Sequence, residues 1–179
     1  MLLKIVRCVF TFSVLLASGC IDIPDNVKPV DDFELKRYLG KWYEIARLDH
    51  SFERGLSNVT AEYSLREDGG VRVINRGFSD ENGAWEESEG KAYFVKEPDK
   101  GFLKVSFFGP FYGSYIVFHL DKKDYQYALV SGPDTSFLWI LSREPVLGES
   151  LKESLLKKAE ASGFDASGLI FVEHDKFDN

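Results

Sequence analysis

Along much of this chain apolar and polar residues take turns. Val59, Ala61, Tyr63 and Leu65 interleave with Asn58, Thr60, Glu62 and Ser64, and further on Leu103, Val105 and Phe107 interleave with Lys104 and Ser106. A period of two puts successive side chains on opposite faces of a strand. Turn signals recur between these stretches: Glu67-Asp68-Gly69-Gly70, Asp80-Glu81-Asn82-Gly83 and Pro98-Asp99-Lys100-Gly101. The spacing predicts eight strands, over 42–49, 57–66, 71–79, 86–96, 102–108, 114–121, 125–131 and 136–143, joined as up-and-down hairpins. No helical stretch separates them, which argues against a parallel α/β sheet. Phe33 to Leu39 reads as a short helical turn before Gly40. After Pro145 and Gly148 a helix is expected over 149–162, with Leu151, Leu155 and Ala159 as one stripe, Leu156 beside them and Gly163 as the stop. Residues 169–172 read as a short final strand. The expected fold is all-β: an eight-stranded antiparallel up-and-down barrel with one C-terminal helix packed outside.

The first residues break this rhythm. Lys4 and Arg7 precede an apolar run from Val9 to Ala17, which has the length of a signal-peptide core and is too short to span a bilayer. Small residues then lead to Cys20. The stretch Leu15-Leu16-Ala17-Ser18-Gly19-Cys20 resembles a bacterial lipobox, although Ala17 stands where that motif usually has Leu; an ordinary secretory signal is the alternative. The resemblance implies a signal peptide over 1–19 and lipidation of Cys20 with diacylglycerol and N-palmitoyl groups. Ile21, rather than Asp, after the cysteine implies sorting to the outer membrane. Residues 20–32 would be the lipidated cysteine and an extended, Pro- and Asp-rich tether, and 33–179 the folded domain.

Composition then narrows the partners. Of the two cysteines, Cys8 would leave with the signal and Cys20 would carry lipid, so no internal disulfide is expected in spite of export. Without Lys4 and Arg7 the chain keeps 20 basic against 29 acidic residues. That balance disfavours nucleic acid and gives no attraction to anionic lipid. Aromatic residues make up 15% of the chain, with 15 phenylalanines, ample for an apolar interior. No cofactor is expected.

Two distant pieces can close one end of a barrel. Gly40-Lys41-Trp42 opens the first strand and Arg143 ends the last, so the guanidinium could lie on the indole face as a cation–π contact. Further blocks follow in order: Val105 to Gly113, Asp124-Tyr125, Ala128 to Asp134 and Leu138 to Arg143. Together with Tyr38 to His50 and Phe52 to Gly55, they closely resemble the lipocalin family, and within it the bacterial outer-membrane lipoprotein branch. Lys123 stands where the second motif often has Thr. The resemblance implies a barrel floor built on Gly40, Trp42, Asp124, Tyr125 and Arg143. It also implies fatty acids or lysophospholipids as ligands, held in the envelope on the periplasmic side of the outer membrane.

If Trp42 is at the floor, strand directions put loops 49–57, 79–86, 108–114 and 131–136 at the mouth. Aromatics crowd there: Phe52, Trp85, Phe108, Phe111 and Tyr112. A self-packed turn, a lipid-entry rim and a homodimer contact are the readings open for them. Alternation places Ala61, Tyr63, Val73, Asn75, Ser88, Gly90, Val105, Phe107, Tyr115, Val117, Ala128, Val130, Phe137, Trp139 and Leu141 inside, the lipid-binding set save Val73 and Leu141, which share its parity. Ala61, Gly90 and Ala128 are small enough to leave space, and Asn75, Ser88 and Tyr63 could bond a polar head. The opposing expectation is an interior filled by its own aromatics.

Enzyme signatures are thin. There is no Gly-x-Ser-x-Gly elbow and no His/Cys/Asp group with metal-ligand spacing. His119 is expected at the lower interior and His50 in a mouth loop, neither with a nucleophile beside it. A binding protein is the reading the sequence favours over an enzyme or a ligand-free docking lipoprotein.

Overall fold

The alternation of the sequence closes on itself. In the computed structural model, which describes residues 21–176, eight strands run antiparallel: β1 (Gly40–Arg47), β2 (Leu56–Leu65), β3 (Val71–Ser79), β4 (Ala84–Phe94), β5 (Phe102–Ser106), β6 (Gly113–Leu120), β7 (Tyr127–Ser131) and β8 (Leu138–Ser142). Each pairs with its neighbour in sequence, and β1 pairs with both β2 and β8, which closes the barrel. A short helix, α1 (Leu35–Tyr38), precedes β1, and α2 (Glu149–Ala161) follows β8. The signal peptide expected over 1–19, Cys8 and the lipidation expected at Cys20 lie outside the described residues.

Helix α2 lies on the outer wall, as its single apolar stripe requires. Leu155 and Ala159 are fully covered, within a cluster that includes Phe118, Ile140 and Phe164. Its end is a Schellman arrangement. Gly163, at φ +91°, donates to the Glu160 carbonyl, and the Phe164 N–H donates to that of Ala159. Phe164 then stacks on Phe118 of β6 at 5.4 Å, fixing the helix to the barrel.

Three bulges interrupt the register, one of them in β2 between Ser57 and Thr60, and the other two alter the parity at residues that matter to the site. In β1 the register against β8 shifts between Glu44 and Ala46, and in β6 it shifts against β7 between Val117 and His119. An extra residue turns every later side chain to the other face. Trp42 and Glu44 point inward, and after the shift so does Arg47, while Ile45 and Ala46 pack in the outer cluster. His119 likewise lies on the outside, 6.1 Å from the Tyr127 ring and near Lys158, not in the lower interior as alternation predicts.

The C-terminal strand β9 (Ile170–Phe171) pairs with the mouth half of β1, at Ala46 and Arg47. β2 reaches only the floor half of β1, from Gly40 to Tyr43. The seam this leaves is filled by the tail. The Val172 N–H donates to the Ile45 carbonyl and the Asn58 N–H donates to the Glu173 carbonyl, while His174 Nε2 lies 2.8 Å from the Glu44 carbonyl oxygen.

The floor is built on Arg143. Its guanidinium lies 4.0 Å above the Trp42 ring and donates to the carbonyls of Lys41 at 2.7 Å, Arg37 at 2.8 Å and Leu39 at 2.9 Å. Nε reaches the Tyr125 carbonyl at 3.3 Å. Trp42 has no exposed surface, and its indole N–H donates to the Tyr38 carbonyl at 2.8 Å. Gly40 sits at φ +90°, and a Cβ there would be 3.6 Å from Arg143 Nη1, so it is the backbone angle, not space, that favours glycine. Tyr125, at φ +57°, accepts the Glu34 N–H on its hydroxyl. The carboxylate that caps this turn is Asp121, which accepts from the N–H groups of Lys123 and Gln126. The carboxylate of Asp124, expected in the floor, points outward, 3.8 Å from Lys123 Nζ, and its carbonyl accepts from the Gln126 side chain at 2.8 Å.

Residues 21–32 are a docked strap, not a free tether. The Ser114 hydroxyl donates to the Asp22 carbonyl at 2.6 Å, Val27 is buried, and the Val30 N–H donates to the Val117 carbonyl. Apolar Ile23 and Val27, which join the outer cluster, explain why a Pro- and Asp-rich segment still adheres.

Replacing Arg143 by alanine removes four or more donated hydrogen bonds and the ring contact. Urea denaturation should show a loss of roughly 2–4 kcal/mol. Arg143→Lys should recover little of it, because one ammonium cannot copy the fork.

Candidate functional site

Above the floor the barrel is hollow. The cavity has a volume of about 580 Å³, within the range of roughly 300–1,000 Å³ typical of small-ligand sites. The interior is therefore not filled by its own aromatics.

Of the residues expected to line it, Ala61, Tyr63, Asn75, Ser88, Val105, Phe107, Tyr115, Phe137 and Trp139 do so. Four do not. Val117, Ala128 and Val130 have no exposed surface and pack within the interior cluster of the barrel, Ala128 toward the floor and Val130 beside Trp139 of β8. Gly90 gives its space to a neighbour: a Cβ on it would come within 2.8 Å of Phe107 Cε1. The missing side chain there seats an aromatic ring and leaves no room for a ligand.

Three tyrosines form the base of the cavity. The Tyr115 hydroxyl lies 2.7 Å from those of both Tyr38 and Tyr63. Burial raises the pKa of all three, so they remain neutral hydroxyls. Asn75 is beside Ala61 in register, and its buried Oδ1 has no hydrogen-bond partner among the described residues. It is a ready acceptor on an otherwise apolar wall.

The mouth holds a group that alternation alone did not reveal. Glu44 and Glu53 are both buried and both line the cavity. Arg47 donates to Glu44 Oε1 at 2.7 Å, and its other nitrogen donates to the Glu53 and Leu56 carbonyls at 2.7 and 3.1 Å. The Trp139 indole N–H donates to Glu53 Oε2 at 3.0 Å. Burial, then the nearby Glu53, pushes the Glu44 pKa up to about 8, and burial raises that of Glu53. One guanidinium can balance one carboxylate, so the pair shares a proton beside Arg47.

His50 is sandwiched in the same place, its ring 4.1 Å from Phe52 and 5.0 Å from Trp139. Burial, then Arg47, lowers its pKa to about 4, so it is neutral near pH 7 and serves as a ring in the aromatic wall. A sequence signal for Glu44 existed, because it shares the inward parity of Trp42. Arg47 was hidden by the bulge, and Glu53 by its place in a loop.

A barrel plugged at one end, open at the other and apolar within defines a cup-shaped binding protein for small apolar molecules. The family is settled by sequence: the chain belongs to the lipocalins, whose lipocalin-like domain model matches residues 33–174. It is 60% identical over 161 residues to the outer membrane lipoprotein Blc of Vibrio cholerae, covering 90% of this chain and 94% of that one. The protein of the same name from Escherichia coli K12 is 51% identical over 172 residues, covering 96% and 97%. Among solved structures, insecticyanin from the tobacco hornworm Manduca sexta superposes with a TM-score of 0.66 at 28% identity, over 85% of this chain and 86% of that one.

The carboxylate pair has a pH signature. Folded-state pKa values above the ordinary carboxylate value mean that the bound proton favours folding. This contribution is complete below about 4.5 and is lost as the pH rises toward about 8. Relative to Glu53→Gln, the parent should lose on the order of 2 kcal/mol across that window in urea titrations. Parallel curves for the two proteins would count against a shared proton.

Proposed function

We propose that this lipocalin binds fatty acids or lysophospholipids in its barrel and stores or carries them within the envelope, anchored through an acylated Cys20 to the periplasmic side of the outer membrane. The observation that carries this reading is the hollow upper barrel, walled by Ala61, Val105, Phe107 and Trp139 and provided with only a few polar groups. Each buried methylene of an acyl chain contributes about 0.8 kcal/mol, so a chain of ordinary length offsets the cost of association. The names of the Vibrio and Escherichia relatives support the outer-membrane placement. The small residue before Cys20 and the position of Ile21 support acylation and sorting.

A binding role is favoured over an enzymatic one. His50 is held neutral inside an aromatic stack, and His119 is on the outer wall. Neither stands beside a nucleophile within the cavity. Bound lipid needs only burial and one or two polar contacts, which Asn75, Ser88 and Tyr63 supply.

Native mass spectrometry of the purified protein should show a co-purifying lipid, and titration with a fatty acid should quench Trp139 fluorescence. Ala61→Phe, which fills the cavity from the wall, should weaken fatty-acid affinity by at least tenfold with thermal stability kept. Unchanged affinity in that variant, with no retained lipid in the parent, would sink the reading.

A further inference from the structure

The strap and the rim place two lipid-facing features at the same end of the barrel. β6 starts at the mouth, with Gly113, and descends to Leu120 at the floor. The strap follows it downward: Asp22 is tied to Ser114 at the top, Val30 to Val117 and Gly101 lower down, and Phe33 to Asp99 in a floor hairpin. The described chain therefore starts at the mouth. Cys20 is one residue beyond Ile21, a Cα step of about 3.8 Å. Had the strap run the other way, the anchor would leave from the floor, a strand's length of roughly 25 Å from the opening.

The rim at that end is apolar where it projects. Phe108 is 77% exposed, Phe52 55% and Phe111 54%, and all three border the cavity. Of the other large exposed apolar residues among those described, Ile21 heads the strap, and the rest are scattered: Leu65 ends β2 at the floor, Val146 follows β8, and Ile170 and Phe171 are on the seam strand. Mouth loops also carry Asp80, Glu81 and Asp134, and Arg54 is already paired with Asp49 at 2.6 Å. The projecting rim is a surface for acyl chains.

We infer that the barrel sits mouth-down on the membrane that holds its anchor, with Phe52, Phe108 and Phe111 entering the lipid surface. The cavity then opens onto the bilayer, and lipid passes between leaflet and barrel without crossing water. This orientation rests on the acylation of Cys20 and the lipid-binding cavity proposed above. Both are read separately, by the mass of the mature chain and by lipid retained in detergent.

The test uses the full mature lipoprotein in phosphatidylcholine vesicles. With Cys20 acylated, Phe108→Cys and Lys123→Cys each supply a single thiol for a nitroxide label. At position 108 the label should be shielded from a water-soluble nickel chelate and reached by oxygen. At Lys123, whose side chain is 88% exposed at the floor, the pattern should reverse. Equal accessibility at both positions in an acylated, lipid-retaining protein overturns the orientation alone. Strong spin–spin broadening at 108 assigns the rim to a second copy and also overturns it. A flexible Gly/Ser linker between Cys20 and Ile21 supplies the final check. Shielding at 108 should survive it, and its loss would show that the rim does not hold the surface.

Discussion

The interaction on which this molecule depends is the seat of Arg143 on Trp42. A barrel of eight strands has two ends, and a binding cup needs one of them sealed. One guanidinium ties the carbonyls of α1, the start of β1 and the turn before β7 into a single point, while its flat face covers the indole. Backbone carbonyls are fixed in place by secondary structure, so this seal needs little further ordering of side chains. Tyr38, 4.7 Å from Trp42, extends the seal upward and becomes the first hydroxyl of the cavity base. Floor and binding site thus share a residue.

Interior space is divided by residue size and charge. Low in the barrel, Ala128 packs in the cluster that holds Trp42 and leaves no void. Above, the walls are apolar but the mouth contains a buried arginine with two carboxylates. A buried ion group is rarely the cheapest way to stabilise a core. Here Arg47 ties β1 to one carbonyl of the mouth loop and one at the start of β2, so the cluster holds the loop that brings Glu53 and Trp139 together.

Much of this was legible in the sequence, for physical reasons that can be named. Alternation and Gly-Asx turns give the strands, and eight consecutive antiparallel strands leave closure as the economical topology. The pairing of residues 42 and 143 follows once strand directions are traced. What escaped came from departures of one residue. A bulge in β6 moved His119 outside and another in β1 moved Arg47 inside, and no local pattern in either strand announces them. Gly90 was read as empty space because its parity was right, yet a neighbouring ring takes that space. The buried role of Glu53 depends on a loop fold that only tertiary contacts determine. Asp121 caps the turn between β6 and β7, while the carboxylate of Asp124, expected in the floor and three positions on, stays at the surface of the same turn.

The seam between β1 and β2 is closed by residues 170–176, the last of the described chain, although β1 is among the first elements made. The plug has the same character, since Arg143 reaches carbonyls more than 100 positions earlier. A chain delivered from its N-terminus therefore cannot complete either end of the barrel until nearly all of it has emerged. β1 must wait, one edge unpaired, for β8 and β9. Closure therefore depends on contacts distant in sequence, which form slowly, so the cup is completed late in folding.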